Sequence, residues 1–553
     1  MKIPKNDVDR FIFYSNVSND CLRSRDDRIT EYIARECYYL YGSPSGSPPA
    51  EHNKIYPSIQ TLASFLYAAE TTSFTLHMHP DADSEDVMRI VPVSQQINTT
   101  WLSSDSDAVA AQCVEWSLVY GSMYMKTIWR DGHFRSYPVR PHDFGVYEED
   151  KTSIDDQDAI VHCYYISRAA LERSLIGHPR REQIMKDVVS ASKQDEKPKS
   201  GLDRLILTAS APITPANPNM VGALSSTSMT VPPNYDAVMN NDLVEMREMW
   251  IWNDDEQDYQ IVTQAGSMTI FDRLAGTLTA QGQMFPKGEN PFTGFCPTPK
   301  YNYFWGISDV GRVQQLQDRY TKRMSELDDL LAKQVNPPRH AIGFTEEQIL
   351  ALSFVGGKAN TSDPMSKVEL FTPEIPPVLL NSIEMIEAGF AEALALHNIL
   401  QGKGEPGVRG RGHAQELARL SSARIKRKAL SIEDSLEKVG TLMLKILRLN
   451  DTTRLPSPEG PFLLDDFSSD CSVKVDAHSN SPLFSEDVKA LATELLEAKI
   501  IDGESFIDLV KPPMADMLKM KLKQMQQQQQ QQAQQQQLQS PQQPAQPSPQ
   551  PLQ

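Results

Sequence analysis

No stretch of this chain approaches the roughly 18 uninterrupted apolar residues that a membrane-spanning helix needs, so no such helix is expected. The opening MKIPKNDVDRF has no apolar run of the kind a secretory leader carries. Cysteine is sparse: Cys21, Cys37, Cys113, Cys163, Cys296 and Cys471 lie far apart with no CxxC pair. That spacing argues against a zinc site or a disulfide framework and for reduced, mostly buried thiols of a cytosolic fold. Positive charge is in deficit, with 54 Lys and Arg against 72 Asp and Glu and a formal net charge of −18. Proteins that grip DNA do so by neutralising phosphates with basic side chains, so the chain as a whole is not a DNA clamp. Local contact with DNA, or an acidic wall past which DNA slides, stays open. Gly356-Gly357-Lys358 lacks the spacing of a phosphate-cradling P-loop, so no ATP hydrolysis is expected. The sequence contains no HExxH, no G-x-S-x-G, and no cysteine in a catalytic setting.

What is present is a 553-residue chain, 40% hydrophobic, long enough for several structural regions. Residues 1–45 read as amphipathic helix, with Ile29, Tyr32, Ile33 and Cys37 at helical spacing. A small-residue and proline loop, GSPSGSPPAEHN, precedes helical runs from Ile55 and from Ala108 to Val119. MYMKTIW and HFRSYPV flank Asp131-Gly132, a dipeptide suited to a type I′ hairpin turn. Arg140-Pro141-His142-Asp143 reads as the exit turn. Residues 190–240 are loop-rich and proline-rich. Two strand-like runs then flank Asp254-Asp255.

The most informative stretch is Asn290 to Pro338, in which an aromatic, proline-punctuated entry opens into one long helix. Ser308 is its expected N-cap, and Val310, Val313, Leu316, Tyr320, Met324, Leu327 and Leu331 recur at helical spacing. Asn336-Pro337-Pro338 stops it. A small mixed unit follows over 339–372, then a second helix through Ile383, Ile386, Phe390, Leu394 and Leu400. Next come the loop QGKGEPGVRGRGH and a third helix from about Ala414 to Leu449. Two shorter helices are expected over 482–510, then a disordered Gln/Pro-rich tail.

The motif GKGEPG satisfies G-x-G-x-x-G literally, but it follows a helix and no βαβ unit surrounds it, so it reads as an interhelical loop. Gly402, Gly404, Gly407, Gly410 and Gly412 leave its backbone loose, while Lys403, Arg409 and Arg411 make it locally cationic. An ordinary solvated loop and a finger touching a polyanion are the two readings. His77 and His79 share a strand face and precede Asp81 and Asp83, a weak metal signal with no third ligand at a diagnostic spacing; no metal or cofactor is expected. His133, beside a turn, and His397, on a helix, read as surface or satisfied core residues. Arg424, Lys426, Arg427 and Lys428 read as a solvated helix face, with contact to a subunit or nucleic acid as the lesser reading.

Taken in order, these pieces resemble the portal protein, or head-to-tail connector, of tailed bacteriophages. The resemblance rests on NKIYPSIQTLASFLY, YGSMYMKTIW with VRPHDF, the strand–acidic-turn–strand block, NPFTGF, YFWGISDVGRVQQLQDRYTKRMSELDDLL, NPPR, and the second helix, glycine loop and third helix. It covers roughly residues 20–510 and is most specific over 290–338. It implies an α+β fold: a portal-type subunit with an α/β wing, long-helix stem, small α/β clip and helical crown. On that frame 1–305 holds the N-terminal helices and wing, with 190–240 a flexible insertion. The first stem helix takes 306–335, the clip 336–376, the second stem helix 377–400 and the tunnel loop 401–413. A long wing helix and return segment take 414–470, the crown 471–523, and the tail 524–553. The resemblance further implies a non-enzymatic, dodecameric ring at one capsid vertex, assembled in the host cytoplasm. Through it double-stranded DNA is packaged and ejected. Implied partners are the terminase large subunit, major capsid and scaffolding proteins, and tail adaptor or neck proteins; no membrane is involved. Lys403, Arg409 and Arg411 would then face the channel. The competing expectations are a helical virion adaptor or scaffold without a DNA channel, and an enzyme or nucleotide-binding protein.

Overall fold

A computed structural model describes residues 1–44, 52–67, 72–78, 84–194, 243–265, 268–277, 284–335, 337, 339–353, 364–370, 372–396, 423–457, 460–467, 471–476, 492–498, 500–503 and 506. The fold is α+β. Its N-terminal part runs through α1 (Asp7–Leu22), α2 (Arg25–Tyr41), α3 (Ile55–Leu66), β1 (Ser73–Met78), α4 (Ser84–Ser103) and α5 (Ser106–Tyr120). The hairpin β2 (Met123–Arg130) and β3 (His133–Val139) follows, then β4 (Phe144–Val146), β5 (Ala159–Ser167), α6 (Arg168–Ser174) and α7 (Arg181–Gln194). Helix α7 thus reaches four residues past the start of the loop-rich segment read at 190–240, most of which lies outside the described residues. The helical reading of 1–45 resolves into two helices, broken at Arg23-Ser24.

The chain continues through β6 (Leu243–Asn253), β7 (Asp258–Ala265), β8 (Met268–Leu274) and β9 (Phe292–Phe295) into α8 (Asp309–Val335). Beyond it come β10 (Arg339–Ile342), α9 (Glu346–Ser353), β11 (Lys367–Leu370), α10 (Pro377–Leu394) and α11 (Ala423–Asn450). Three short strands complete this part: β12 (Arg454–Leu455), β13 (Phe462–Leu463) and β14 (Cys471–Asp476). Residues 1–476 form one compact unit and 477–553 a second, in which 492–497 are helical. Strand β14 pairs with β1 from Ser73↔Asp476 to Met78↔Cys471. Pairing across nearly 400 residues leaves no local signal.

Two sheets organise the body, an antiparallel one ordered β4-β5-β6-β7-β8 and a three-stranded one ordered β3-β2-β9. Asp131 (φ 54°) and Gly132 (φ 78°) both take left-handed backbone in the two-residue turn, as the sequence reading required of a type I′ hairpin. Strand alternation sorts the five-stranded sheet's side chains by face. Val161, Cys163, Met249 and Ile251 join Tyr14, Val17 and Cys21 of α1 in one buried cluster. His162, Glu248 and Trp250 point the other way, where the three-stranded sheet meets them. There Lys126 of β2 donates to both Glu248 oxygens at 2.7 and 2.6 Å, and Trp250 Nε1 donates to Oε1 at 2.9 Å.

This buried pair sets an acid limit on the fold. Burial first, and then Lys126, push His162 down to about 3. Burial alone would raise Glu248, but Lys126 and His162 hold it at about 2. A histidine kept neutral in the fold binds its proton only on unfolding, so stability falls as pH drops from 6.5 toward 3. The carboxylate adds a second loss, between 4.5 and 2. Urea midpoints measured against pH should therefore decline already between 6.5 and 4.5, and His162→Gln should flatten that leg by up to ~1.4 kcal/mol per pH unit. An unchanged slope would show that His162 is not held neutral.

Candidate stem and conduit elements

The aromatic entry to α8 is a stacked knot. Tyr124 lies 4.1 Å from Phe144 and 5.8 Å from Phe304, centroid to centroid, and Phe144 meets Phe292 edge-on at 5.1 Å. Trp305 Nε1 donates to Glu149 at 2.8 Å, and Phe304 N donates to the Glu149 carbonyl at 2.8 Å. Gly121 ends α5 with φ +101°, and its backbone passes so close to Gly306 that a Cβ at 121 would sit 2.5 Å from the Gly306 oxygen. Only glycine fits that crossing. Gly306 N then donates to Ser122 Oγ at 2.8 Å, and Ser308 Oγ donates to the Val119 carbonyl.

Helix α8 begins as the sequence reading expected: Ser308 Oγ accepts from Gly311 N at 2.9 Å, the N-cap geometry. Its root is buried through Asp309, Val310, Val313 and Gln317. Asp309, 1% exposed, accepts from Lys428 of α11 at 2.5 Å and from Arg312 at 3.4 Å. Lys428 therefore leaves the solvated face assigned to the 424–428 cluster. Burial, with Arg312 and Arg424 adding to it, outweighs Asp309 and lowers the Lys428 ammonium below its ordinary value. Its neighbour Arg424 caps α10 instead, donating to the carbonyls of Glu392 and Ala393 at 2.6 and 3.1 Å. Arg427 stays exposed. A signal for Lys428 existed, since it sits three residues after Ile425 and four before Ile432, on the apolar stripe of α11.

Gln317 ties the root to the N-terminal helices. Its Nε2 donates to the His52 carbonyl at 2.8 Å and its Oε1 accepts from Lys54 N at 3.0 Å. Tyr38 of α2 donates to Asp318 at 2.9 Å, while Lys54 pairs with Glu387 of α10 and lies 5.1 Å from the Tyr320 ring centroid.

Twenty-seven residues make α8 about 40 Å long, and the 18 of α10 span about 27 Å. The two pack side by side, with Tyr320 edge-on to Phe390 at 6.4 Å and Gly389 opening room for Leu316. At the far end Gln334 Nε2 donates to the Pro373 carbonyl at 2.9 Å. No residue of α8 beyond Gln317 is fully buried. Val335 (87% exposed), Val378 (75%) and Met385 (76%) lie open, as do Leu331 and Leu380. At the tip β10 and β11 pair antiparallel, with Leu350, Met365 and Leu370 exposed nearby.

Gln401–His413, with Lys403, Arg409, Arg411 and its five glycines, lies outside the described residues, as does His397. His77, next to last in β1, pairs with Ser472; His79, Asp81 and Asp83 are outside the described residues. Among the described residues no three His, Cys, Asp or Glu side chains gather as a metal site, and no helix is long and apolar enough to cross a membrane. Four of the six cysteines are buried and none forms a disulfide.

No protein-family model and no curated protein matches the chain. Among solved structures it aligns with a chain from the virion of a native gene transfer agent particle. That alignment has a TM-score of 0.40 and 9% identity over 87% of this chain and 93% of the other. A chain from the neck of an empty gene transfer agent particle, computed with C6 symmetry, aligns at a TM-score of 0.41 and 10% identity over 87% and 93%.

The root makes a sharp energetic prediction. Asp309→Asn leaves Lys428 buried beside Arg312 and Arg424 without its carboxylate, and should cost about 3–5 kcal/mol of unfolding free energy. The double variant Asp309→Leu with Lys428→Met should recover most of that loss, because apolar side chains carry no desolvation penalty. Denaturant titration of the three proteins checks both. A loss below about 1 kcal/mol in the single variant would show that the pair does not hold the helix.

Proposed function

We propose that this chain is the subunit of a phage-type portal: a closed ring at one capsid vertex through which DNA is packaged and ejected. In this reading α8 and α10 are the stem, the β10–α9–β11 unit is the clip, and Gln401–His413 is the tunnel loop. One observation carries the proposal. Among the described residues a two-helix rod is anchored in the body mainly at its root, with His52 reaching Asp328 farther out, ends in a small α/β unit, and leaves apolar side chains uncovered along its distal half. A single chain has no use for such a face, because exposed apolar area stabilises nothing until something covers it. Copies arranged around an axis cover it with a heterologous interface, in which one side of each rod meets a different side of the next.

The ring performs no catalysis in this reading. A separate terminase motor docks at the clip and supplies the hydrolysis, while capsid, scaffolding and neck proteins meet the outer surfaces. An acidic channel repels phosphates and keeps DNA moving, and Lys403, Arg409 and Arg411 add weak, salt-sensitive contacts.

Negative-stain images of the purified full-length chain should show rings with an axial hole. Compact monomers would overturn the proposal, and assemblies without a hole would favour the helical adaptor instead. Met385→Glu with Val335→Glu should shift the assembled form toward monomers in sedimentation, with the monomer's own stability changed by less than about 1 kcal/mol. Neutralising Lys403, Arg409 and Arg411 together should alter packaging or DNA retention and leave assembly intact; normal packaging would remove the loop from the mechanism.

A further inference from the structure

Helix α10 carries Glu384, Glu387 and Glu392 and no Lys or Arg. Glu387 is taken by Lys54, while Glu384 and Glu392 are exposed, and their carboxylates have no ion-pair partner among the described residues. Two residues turn a helix by about 200°. Glu384, Ala388 and Glu392 therefore lie opposite the buried Ile386 and Phe390, the latter packed on Tyr320 of α8. Met385 and Val378, both open to solvent, flank that outer face.

The outer side of α8 has the opposite sign. Lys322 comes two residues after Tyr320 and so points away from α10; Arg319 comes two after Gln317 and so points away from the turn before α3. Both are exposed, and neither side chain has a hydrogen bond or ion pair among the described residues. Of the carboxylates nearby, Asp318 is taken by Tyr38 and Glu326 by Arg323, which leaves Asp329 about two turns nearer the tip. The antiparallel register brings the two sets of charges to the same heights. Leu316 meets Gly389 and Gln334 donates to the Pro373 carbonyl, so numbers rise in α8 and fall in α10 in step toward the tip. Lys322 is therefore level with Glu384, and Arg319 lies between the levels of Glu384 and Glu392.

We infer that the α8 face of one copy of this chain, through Arg319 and Lys322, docks on the α10 face of the next, through Glu384 and Glu392, covering Met385 and Ala388 between them. This rests on the portal reading, because rotation about an axis along the rods keeps every residue at its height and so sets each cation beside a carboxylate of the neighbour. A face of one sign cannot pair with its own copy, so the contact is heterologous and repeats from copy to copy until the ring closes. Exposed ion pairs add little stability singly. Here the covered apolar side chains supply the binding, and the charges select which face meets which and at what register.

The test uses the full-length chain and two double variants, Arg319→Glu with Lys322→Glu and Glu384→Lys with Glu392→Lys. All four positions are exposed, so each variant should keep the wild-type Tm within a few degrees. Each alone sets like charges face to face and should sediment as monomer at concentrations where the wild-type chain forms rings. Mixed, the two should recover rings containing both in equal amounts, since every contact between unlike variants again sets a cation against a carboxylate. Rings that persist in both double variants would overturn the inference, leave these faces to some other partner, and leave the portal reading standing. Folded variants that stay monomeric on mixing would overturn it as well. If a charge reversal unfolds the chain, Arg319→Gln with Lys322→Gln decides instead: it should raise the concentration needed for rings about tenfold and weaken its dependence on salt, and no change would count against the contact. A wild-type chain that forms no ring removes the portal reading itself, and this inference with it.

Discussion

Everything distal in this molecule depends on one buried contact, Asp309 at the first turn of α8 against Lys428 of α11. A rod of about 40 Å held at one end transmits any looseness at its root to its tip, magnified by its length. Here the root is over-determined. Ser308 caps the helix, Gly121 and Gly306 cross at backbone contact, and Gln317 binds the turn before α3. The ion pair is the costly member of that set, since burial takes the Lys428 ammonium below its ordinary value even with Asp309 beside it. Such a pair adds little net stability, yet it penalises every arrangement that separates its halves. It selects one orientation of α8 against α11.

The same joint gathers functions that lie far apart in the chain. Arg424, one turn before Lys428, closes the carbonyl end of α10, so the start of α11 touches both helices of the rod. A pocket of about 380 Å³ adjoins that root, lined by α2, the segment before α8 and the first turn of α8. Cations cluster here while the chain as a whole carries −18, and each guanidinium has a carboxylate beside it: Arg28 has Glu149, Arg35 has Glu31 and Arg312 has Asp309. Away from the root the rod is lightly held. Its distal half has Arg323–Glu326 at 2.6 Å, a one-turn pair worth a few tenths of a kcal/mol, His52 against Asp328 at 3.2 Å, and the half-buried seam with α10.

Much of this was legible in the sequence where the signal is local. The hairpin at Asp131-Gly132, the N-cap at Ser308, the double-proline stop after Val335 and the β–α–β order of the tip each follow from a few neighbouring residues whose backbone preferences agree. The 424–428 cluster was misread because charge suggests solvent, whereas Lys428 lies on the buried stripe and finds its counterion 119 residues away. The pairing of β1 with β14 was invisible for the same reason: strand partners are chosen by the assembled core.

By itself, then, the sequence determined the elements, their order, the acidic balance and the absence of P-loop and metalloprotease motifs, because these rest on residue type and short spacing. Tertiary structure alone decided which charges are buried, which donors are left without acceptors, and which apolar faces stay uncovered. Those outcomes depend on what the fold brings alongside each side chain. Arg28 and Arg35 carry no local sequence sign of enclosure; only the fold stacks Arg28 on Trp305 and sets Arg35 beside Gly311 of the first turn of α8.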